Sequence, residues 1–253
     1  MRYAILLFIL AIAVPAAYAD VPEVIDARVD YTIGSALGTD SRTPSFSWKM
    51  RSHRRGAYQA AYQVLVSTRP LFDDESKRLE PDMWDSGKVE SKQTFDIVYG
   101  GQTLKSGMDC WWRVQVWDRE GRACGWSRIA RWTMGLLEPS DWQGHWISGS
   151  PFDASPRLRR GFGLRGPVAS ARLYLCGQGV YEASINGQPL SDQVLGPTLS
   201  YFAKRMLYDT FDVTEHVCEG ENAVGVWLSP GWFGDPIIWA EMDMPAGLHG
   251  FPV

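Results

Sequence analysis

The chain has no concentration of basic residues. Its 25 Lys and Arg residues are scattered singly among 29 Asp and Glu residues, and the formal net charge is −4. Nucleic-acid binding requires a clustered positive surface, because contacts to phosphates supply much of the affinity. The sequence therefore argues against a nucleic-acid partner.

A transmembrane segment is also missing from the sequence. A helix needs about 20 consecutive apolar residues to cross a bilayer, and no run reaches that length. The longest run, residues 4–14, follows Arg2 and precedes small residues at Ala17 and Ala19, which is typical of a signal peptide. We expect residues 1–19 to be removed and the mature chain to be exported to the periplasm or the extracellular space.

Cysteine is scarce, and the four residues contain no C-x-x-C pair that would indicate a zinc site. They are Cys110, Cys124, Cys176 and Cys218. Export would expose them to an oxidising compartment, in which disulfides form and persist. A hairpin turning near residues 119–120 would place Cys110 and Cys124 poorly for pairing, so the spacing leaves the disulfide pairing open.

Motifs of common enzyme classes are absent or stand in the wrong context. No G-x-S-x-G nucleophile motif occurs, and the four histidines are scattered singly: His53, His145, His216 and His249. Residues 161–166 satisfy G-x-G-x-x-G, but Pro167 and a strand-like run follow them. A dinucleotide loop must open a helix, so we interpret this stretch as an exposed glycine-rich strand.

The sequence is instead rich in short alternating runs. Between residues 22 and 135 no window keeps helical periodicity for three turns, and the strand-like runs are residues 44–50, 60–68, 94–100 and 110–118. Short strands with regularly spaced turns predict an immunoglobulin-like or fibronectin-III-like sandwich. Strand parity places Trp48, Trp112 and Trp132 in its core.

Residues 171–235 contain four further alternating runs, which predict one sheet of a second β-sandwich. Leu173 and Leu175 share one face of the first run, and Val224, Val226 and Leu228 share one face of the last. Asn186-Gly187 ends the second run, and this dipeptide favours a two-residue hairpin turn because both positions tolerate positive φ.

An ordered series of motifs resembles the N-terminal region of bacterial α-L-rhamnosidases. In the second part these are YEASING (181–187), SY.AKR..YDTFDVT (200–214) and GEN..GVWL..GWFGD (220–235). Residues 62–66, 84–88 and 112–118 resemble the preceding fibronectin-like domain, and residues 134–147 resemble the connection between the two. The resemblance implies an all-β chain of two consecutive β-sandwiches.

The expected domains are a fibronectin-III-like β-sandwich over residues 20–138 and a jelly-roll-like β-sandwich over residues 139–253. The sequence predicts six strands in the second domain, whereas such sandwiches generally use about eight. The resemblance also implies a further strand beyond the last residues. We therefore expect the second sandwich to be truncated.

The resemblance implies a glycoside hydrolase that removes terminal α-L-rhamnose, with its catalytic carboxylates in a helical domain downstream. We find no matching acidic motif here and interpret the many acids as ordinary solvated carboxylates. The expected function is a non-catalytic N-terminal portion that supports the catalytic domain. The expected partners are that domain and rhamnose-containing glycans or glycosides.

Aromatic residues near the end of the chain give the best sequence signal for a sugar site. Trp232 and Phe233 lie among glycines in a loop-like segment with Trp239 nearby, and a loop can present rings for stacking on a sugar. The resemblance implies that calcium helps to hold sugar hydroxyls in some members. Oxygen ligands suit that ion, and the candidate calcium ligands are Asn186, Asp192 and Asp235. Asn186 and Asp235 are also candidates for sugar binding, together with Trp232 and Phe233. No cofactor is otherwise required.

Two alternatives from other functional classes remain open at this point. The chain could be a stand-alone secreted carbohydrate-binding protein, or a structural adhesion module, which burial of the loop aromatics would favour. Lys204-Arg205, followed by Tyr208-Asp209-Thr210, matches the family motif, but side-chain pairing across strands explains these residues equally well.

Overall fold

A computed structural model describes residues 21–32, 34–70, 80–150, 155–202, 204–231 and 233. These residues form strands and loops, with two 3₁₀ turns at Pro139–Asp141 and Thr214–His216. No helix in this part of the chain is long and apolar enough to cross a membrane. The fold class is all-β, as the alternating runs predict. The predicted signal peptide lies outside the described residues.

The chain divides into two compact units. The first contains Met1–Ser35, Thr43–Gln102 and Cys110–Arg131; the second contains Ala36–Arg42, Thr103–Asp109 and Trp132–Val253. Three short segments that precede residue 139 therefore belong with the second unit. The boundary that the sequence places between residues 138 and 139 stays a prediction.

In the described part of the chain, ten strands occur before residue 139. They are β1 (Glu23–Val29), β2 (Ala36–Thr39), β3 (Ser45–Arg51), β4 (Gln59–Ser67), β5 (Trp84–Asp85), β6 (Val89–Glu90), β7 (Ile97–Val98), β8 (Asp109–Asp118), β9 (Ala123–Trp126) and β10 (Ala130–Met134). In the first unit one sheet has the order β1-β3-β7, and in a second sheet β4 pairs with β5, β6 and β8 while β8 also pairs with β9. In the second unit β10 pairs with β2 in parallel.

Strict alternation in β8 builds the core of the first unit. Every second residue from Cys110 to Asp118 is buried, and Val114 and Trp112 lie opposite Val64 and Val66 of β4. The ring centroid of Trp112 lies 4.6 Å from the ring centroid of Phe46 on the facing sheet. Trp48, Trp112 and Trp132 are 3%, 0% and 0% exposed, which confirms their predicted burial.

The predicted strand over residues 94–100 is much shorter in the structure. The strand contains only Ile97 and Val98, opposite Phe46 and Ser45 of β3, and Thr94 and Tyr99 each add one backbone hydrogen bond, with Trp48 and Pro44. The preceding residue, Asp96, has a φ of 56°, a left-handed conformation that cannot continue a strand. Alternation in the sequence did not reveal that break.

Among the residues that the structure describes, six strands follow residue 139, all in the second unit. They are β11 (Arg157–Leu164), β12 (Arg172–Leu175), β13 (Val180–Ile185), β14 (Gln188–Pro189), β15 (Asp209–Asp212) and β16 (Gly220–Ser229). One sheet has the order β11-β16-β13-β14, so β11 lies at an edge of this sheet among the described strands, and β12 pairs with β15 in a separate sheet.

The prediction that the four runs of residues 171–235 form one sheet is therefore wrong. The chain changes sheet between β12 and β13, at Gly179, which has a φ of 121°. A Cβ atom there would lie 2.2 Å from the Ser229 carbonyl oxygen, so the close approach requires glycine. Alternation within a strand identifies its faces but carries no information on its partners.

The Asn186-Gly187 hairpin is confirmed. These residues have φ angles of 52° and 80°, and Ile185 and Gln188 on either side are paired. Both central positions are thus left-handed, as a two-residue hairpin with the sheet's natural twist requires.

An irregularity in β1 creates an acid-sensitive ion cluster in the first unit. The β1–β3 pairing shifts between Ile25 and Arg28, where Asp26 has a φ of 54°. Asp26 contacts the Arg28 guanidinium at 2.6 Å and the Lys49 ammonium at 2.7 Å. Hydrogen bonds from Arg28 and then Lys49 lower the pKa of Asp26 from 3.8 to about 2.

We expect this cluster to weaken on acidification between pH 4 and pH 2. Because the folded-state pKa is depressed, the stabilising contribution is present above the ordinary pKa and is lost as pH falls through the folded-state value. An NMR titration of the Asp26 carboxyl carbon should show a midpoint near 2, and Asp26→Asn should flatten the dependence of unfolding free energy on pH in this window. A midpoint at 3.8 or above would contradict the cluster.

Candidate functional site

The sequence favours the loop around residues 232–235 for sugar binding. Of the site residues predicted there, the structure describes only Phe233. The Phe233 side chain is 4% exposed, and its ring packs edge-on against Phe202 at 5.4 Å between centroids. The ring therefore belongs to the packing of the second unit. Trp232, Asp235 and the neighbouring Trp239 lie outside the described residues, so their role in sugar binding stays a prediction.

Asn186 has a clear structural role in the hairpin. Its amide nitrogen donates hydrogen bonds to the His216 carbonyl (2.9 Å) and to Asn222 Oδ1 (2.8 Å), and its amide oxygen accepts one from the Ala223 backbone (2.9 Å). Asn222, which is 4% exposed, in turn donates to the Cys218 carbonyl. The two amides tie the hairpin to the turn that precedes β16.

Asp192 is exposed in the loop after β14. Within the residues that the structure describes, no group of three or more His, Cys, Asp and Glu side chains could hold a metal ion. The structure thus shows no assembled acidic site around Asn186 and Asp192, and calcium binding by these residues with Asp235 stays a prediction.

The motif at residues 208–210 contributes to packing within the second unit. The Tyr208 hydroxyl accepts a hydrogen bond from the Leu136 backbone at 2.9 Å, and Trp142 packs edge-on against its ring at 5.2 Å. The Tyr181 hydroxyl donates to the Asp209 carboxylate. Burial, followed by this bond, raises the pKa of Tyr181. These contacts give the motif a structural explanation.

A row of three side chains on one face of the β11-β16-β13 sheet was missed by the sequence analysis. Trp227 of β16 pairs with Arg157 of β11 on one side and with Glu182 of β13 on the other. Residues directly opposite one another in a sheet share a face. Trp227 is 47% exposed there. The alternation of Trp227 with Val226 and Leu228, which face inward, was the feature of the sequence that indicates an outward-facing Trp227.

A groove of about 220 Å³ lies beside this row. It is lined by Ser155, Val180, Tyr181, Glu182, Trp227 and Ser229. The indole nitrogen of Trp227 donates to the Ser155 hydroxyl at 2.8 Å, and the Arg157 guanidinium stands 4.6 Å from the centre of the indole ring. The groove therefore combines an oriented aromatic ring with an acidic residue and two serines. We call it the Trp227 groove.

Two family models match consecutive parts of the chain. Residues 24–138 match the model described as Rha78A-like, N-terminal immunoglobulin domain, and residues 166–244 match the alpha-L-rhamnosidase N-terminal domain. The chain has the N-terminal domains of the α-L-rhamnosidase family. The resemblance drawn from its sequence motifs is thereby confirmed.

Individual α-L-rhamnosidases show the same relationship. A relative from Formosa agariphila is 34% identical over 217 residues, and one from an Alteromonas species is 34% identical over 214 residues. The matches cover 81% and 79% of this chain but 23% of each relative. The chain thus spans about a quarter of the length of these curated rhamnosidases.

Solved α-L-rhamnosidase structures share the fold. The enzyme from Dictyoglumus thermophilum aligns with a TM-score of 0.75 at 31% identity, over 83% of this chain and 25% of the other. The Aspergillus terreus enzyme aligns with a TM-score of 0.68 at 26% identity, over 83% and 24%. Both alignments cover a minor part of the larger enzyme.

Proposed function

We propose that this chain is the exported, non-catalytic N-terminal portion of an α-L-rhamnosidase. The observation that carries the proposal is the pair of consecutive N-terminal domain matches, with relatives about four times as long. In this interpretation a downstream domain removes terminal α-L-rhamnose from glycans or glycosides. The two β-sandwiches support that domain and hold rhamnose-containing substrate near it. The signal-peptide pattern at residues 1–19 supports export.

The electrostatics of the described acids support a non-catalytic role. Glycoside hydrolysis needs a carboxylic acid with a raised pKa to protonate the leaving group. Wherever a described carboxyl group has a shifted pKa, the pKa is lowered. At Asp26 and Glu120 the main causes are hydrogen bonds from Arg28 and Arg119. At Asp141 the main cause is a hydrogen bond from Ser106. Neighbours that hold an acid ionised make it a poor proton donor.

An activity assay combined with titration calorimetry tests this proposal. The purified mature chain should release no product from an aryl α-L-rhamnoside, because the proton donor and its partner carboxylate are supplied elsewhere. It should bind L-rhamnose, and a parallel titration with calcium tests whether the ion contributes. Circular dichroism provides the control that the chain is folded.

Turnover by the purified chain would overturn the non-catalytic assignment. The second candidate is a structural module without a sugar site, and the burial of Phe233 favours it because that ring is not presented for stacking. If the folded protein neither binds L-rhamnose nor turns over the aryl rhamnoside, the structural module is the better interpretation.

A further inference from the structure

The Trp227 groove has the physical properties of a binding site for one sugar ring. A solvent-exposed indole normally keeps several rotamers, and fixing a side chain on binding costs conformational entropy. Here the hydrogen bond to Ser155 and the stacked Arg157 guanidinium hold the ring from two directions before any ligand arrives. The aromatic surface is therefore preorganised as well as accessible.

The polar groups of the groove fit hydroxyl donors. The Glu182 side chain is exposed and lies opposite Trp227 on the neighbouring strand. An ionised carboxylate only accepts hydrogen bonds, and its two oxygens can receive two donors at once. Adjacent hydroxyl groups of a pyranose supply such donors. A uronic acid carboxylate has no proton to donate to Glu182 and would bring a second negative charge toward it, while Arg157 lies on the other side of the indole.

The apolar side of a pyranose fits the other wall. Sugar C–H groups pack favourably on an aromatic face, and Trp offers the largest such face. The volume of about 220 Å³ lies below the roughly 300–1,000 Å³ of sites that enclose drug-sized ligands. A single open groove of this size suits one ring of a longer glycan, and the other sugar residues of the glycan would stay in solvent.

We propose that the Trp227 groove binds one neutral pyranose residue of a glycan, with its C–H face on the Trp227 indole and adjacent hydroxyls on Glu182. This site is separate from the predicted loop around residues 232–235. The choice of a rhamnoside as the first probe rests on the proposed function. The groove itself is inferred from its own geometry.

The test is a titration of the ¹⁵N-labelled chain with methyl α-L-rhamnopyranoside, methyl α-D-glucopyranoside and D-glucuronate. The indole N–H resonance of Trp227, assigned from its loss in Trp227→Ala, should shift with a neutral pyranoside and not with D-glucuronate. Trp227→Ala should weaken the affinity, followed through the backbone amide resonances of the labelled chain, at least tenfold, because the stacking surface is removed. Glu182→Gln should weaken it about three- to tenfold, since a neutral amide accepts hydroxyl hydrogen bonds less strongly than a carboxylate.

Trp146→Ala is the matched control, because Trp146 is also an exposed tryptophan of the second unit, at 59%, and does not line the groove. The affinity of the Trp146→Ala variant for the neutral pyranosides should equal that of the unmodified chain. If the rhamnoside binds equally well to both groove variants, the groove proposal is wrong and rhamnoside binding elsewhere stands. If only the glucoside binds, and the variants weaken it, the groove proposal holds and the rhamnose preference fails. If no neutral pyranoside shifts Trp227, the groove is not a sugar site.

Discussion

Replacing Trp112 by alanine should lower the unfolding free energy of the first unit by about 3–5 kcal/mol, the range found for large aromatic side chains removed from protein cores. Trp112 is fully buried, lies opposite Val66 in the β4–β8 pairing and packs on Phe46 of the facing sheet. Truncation would leave a cavity where the two sheets meet. Chemical denaturation monitored by circular dichroism would measure the change.

Trp111 provides the matched control, because it is the adjacent residue on the same strand and points to the opposite face. It is half-buried, with the Arg131 guanidinium 5.5 Å from its ring. Trp111→Ala should cost about 1 kcal/mol, the centre of the range found for point mutants in general, because the side chain is only half-buried. Equal costs at positions 111 and 112 would contradict the parity assigned to β8.

A phenylalanine substitution separates volume from hydrogen bonding at the same position. The Trp112 indole nitrogen is buried and has no hydrogen-bond acceptor among the described residues. A buried N–H group without a partner costs about 1–3 kcal/mol. Trp112→Phe removes that cost together with part of the ring, so its net effect should be less than half that of Trp112→Ala.

Replacing Arg172 by leucine should destabilise the second unit by about 2–3 kcal/mol. The Arg172 guanidinium donates to the Gly107 carbonyl at 2.7 Å and to the Asp109 carboxylate at 2.5 Å, and the two side chains are 12% and 29% exposed. Removing one member of a buried ion pair costs about 3–5 kcal/mol because the other charge stays buried. The partial exposure of Asp109 places the expected value below that range. Calorimetric unfolding would measure it.

Arg159→Leu is the control for this substitution, since Arg159 lies exposed on β11 of the same unit. It should change the unfolding free energy by less than about 0.5 kcal/mol. The double variant Arg172→Leu with Asp109→Leu should recover part of the loss, because no buried charge is then left behind. A double variant less stable than Arg172→Leu alone would show that the loss has another origin.

Local features of the fold were predictable because their causes are local. The alternation of β8 identifies its buried face, and Asn186-Gly187 specifies the hairpin, since both depend on a few neighbouring residues. The pairing of β12 with β15 was not predictable in this way, because it depends on the change of sheet at Gly179 and its close approach to residue 229. Nor could sequence spacing reveal the Arg172–Asp109 pair across 63 positions.

The candidate site was harder to predict for the same reason. Composition drew attention to an aromatic loop, whereas the structure buries Phe233 and engages the Asn186 amide in the hairpin. The Trp227 groove depends on three strands coming together, which places Arg157 and Glu182 on either side of the indole. Each of these side chains is unremarkable in the sequence, and only the register makes them neighbours.

The position of β11 at the edge of the described β11-β16-β13-β14 sheet has a consequence for how molecules of this protein behave at high concentration. An edge strand presents unpaired backbone groups to which a strand of another molecule could add. Arg157, Arg159 and Arg160 are exposed along β11, so two copies approaching through this edge would bring like charges together. Electrostatic repulsion thus opposes intermolecular strand addition, and raising the salt concentration should weaken this protection against aggregation.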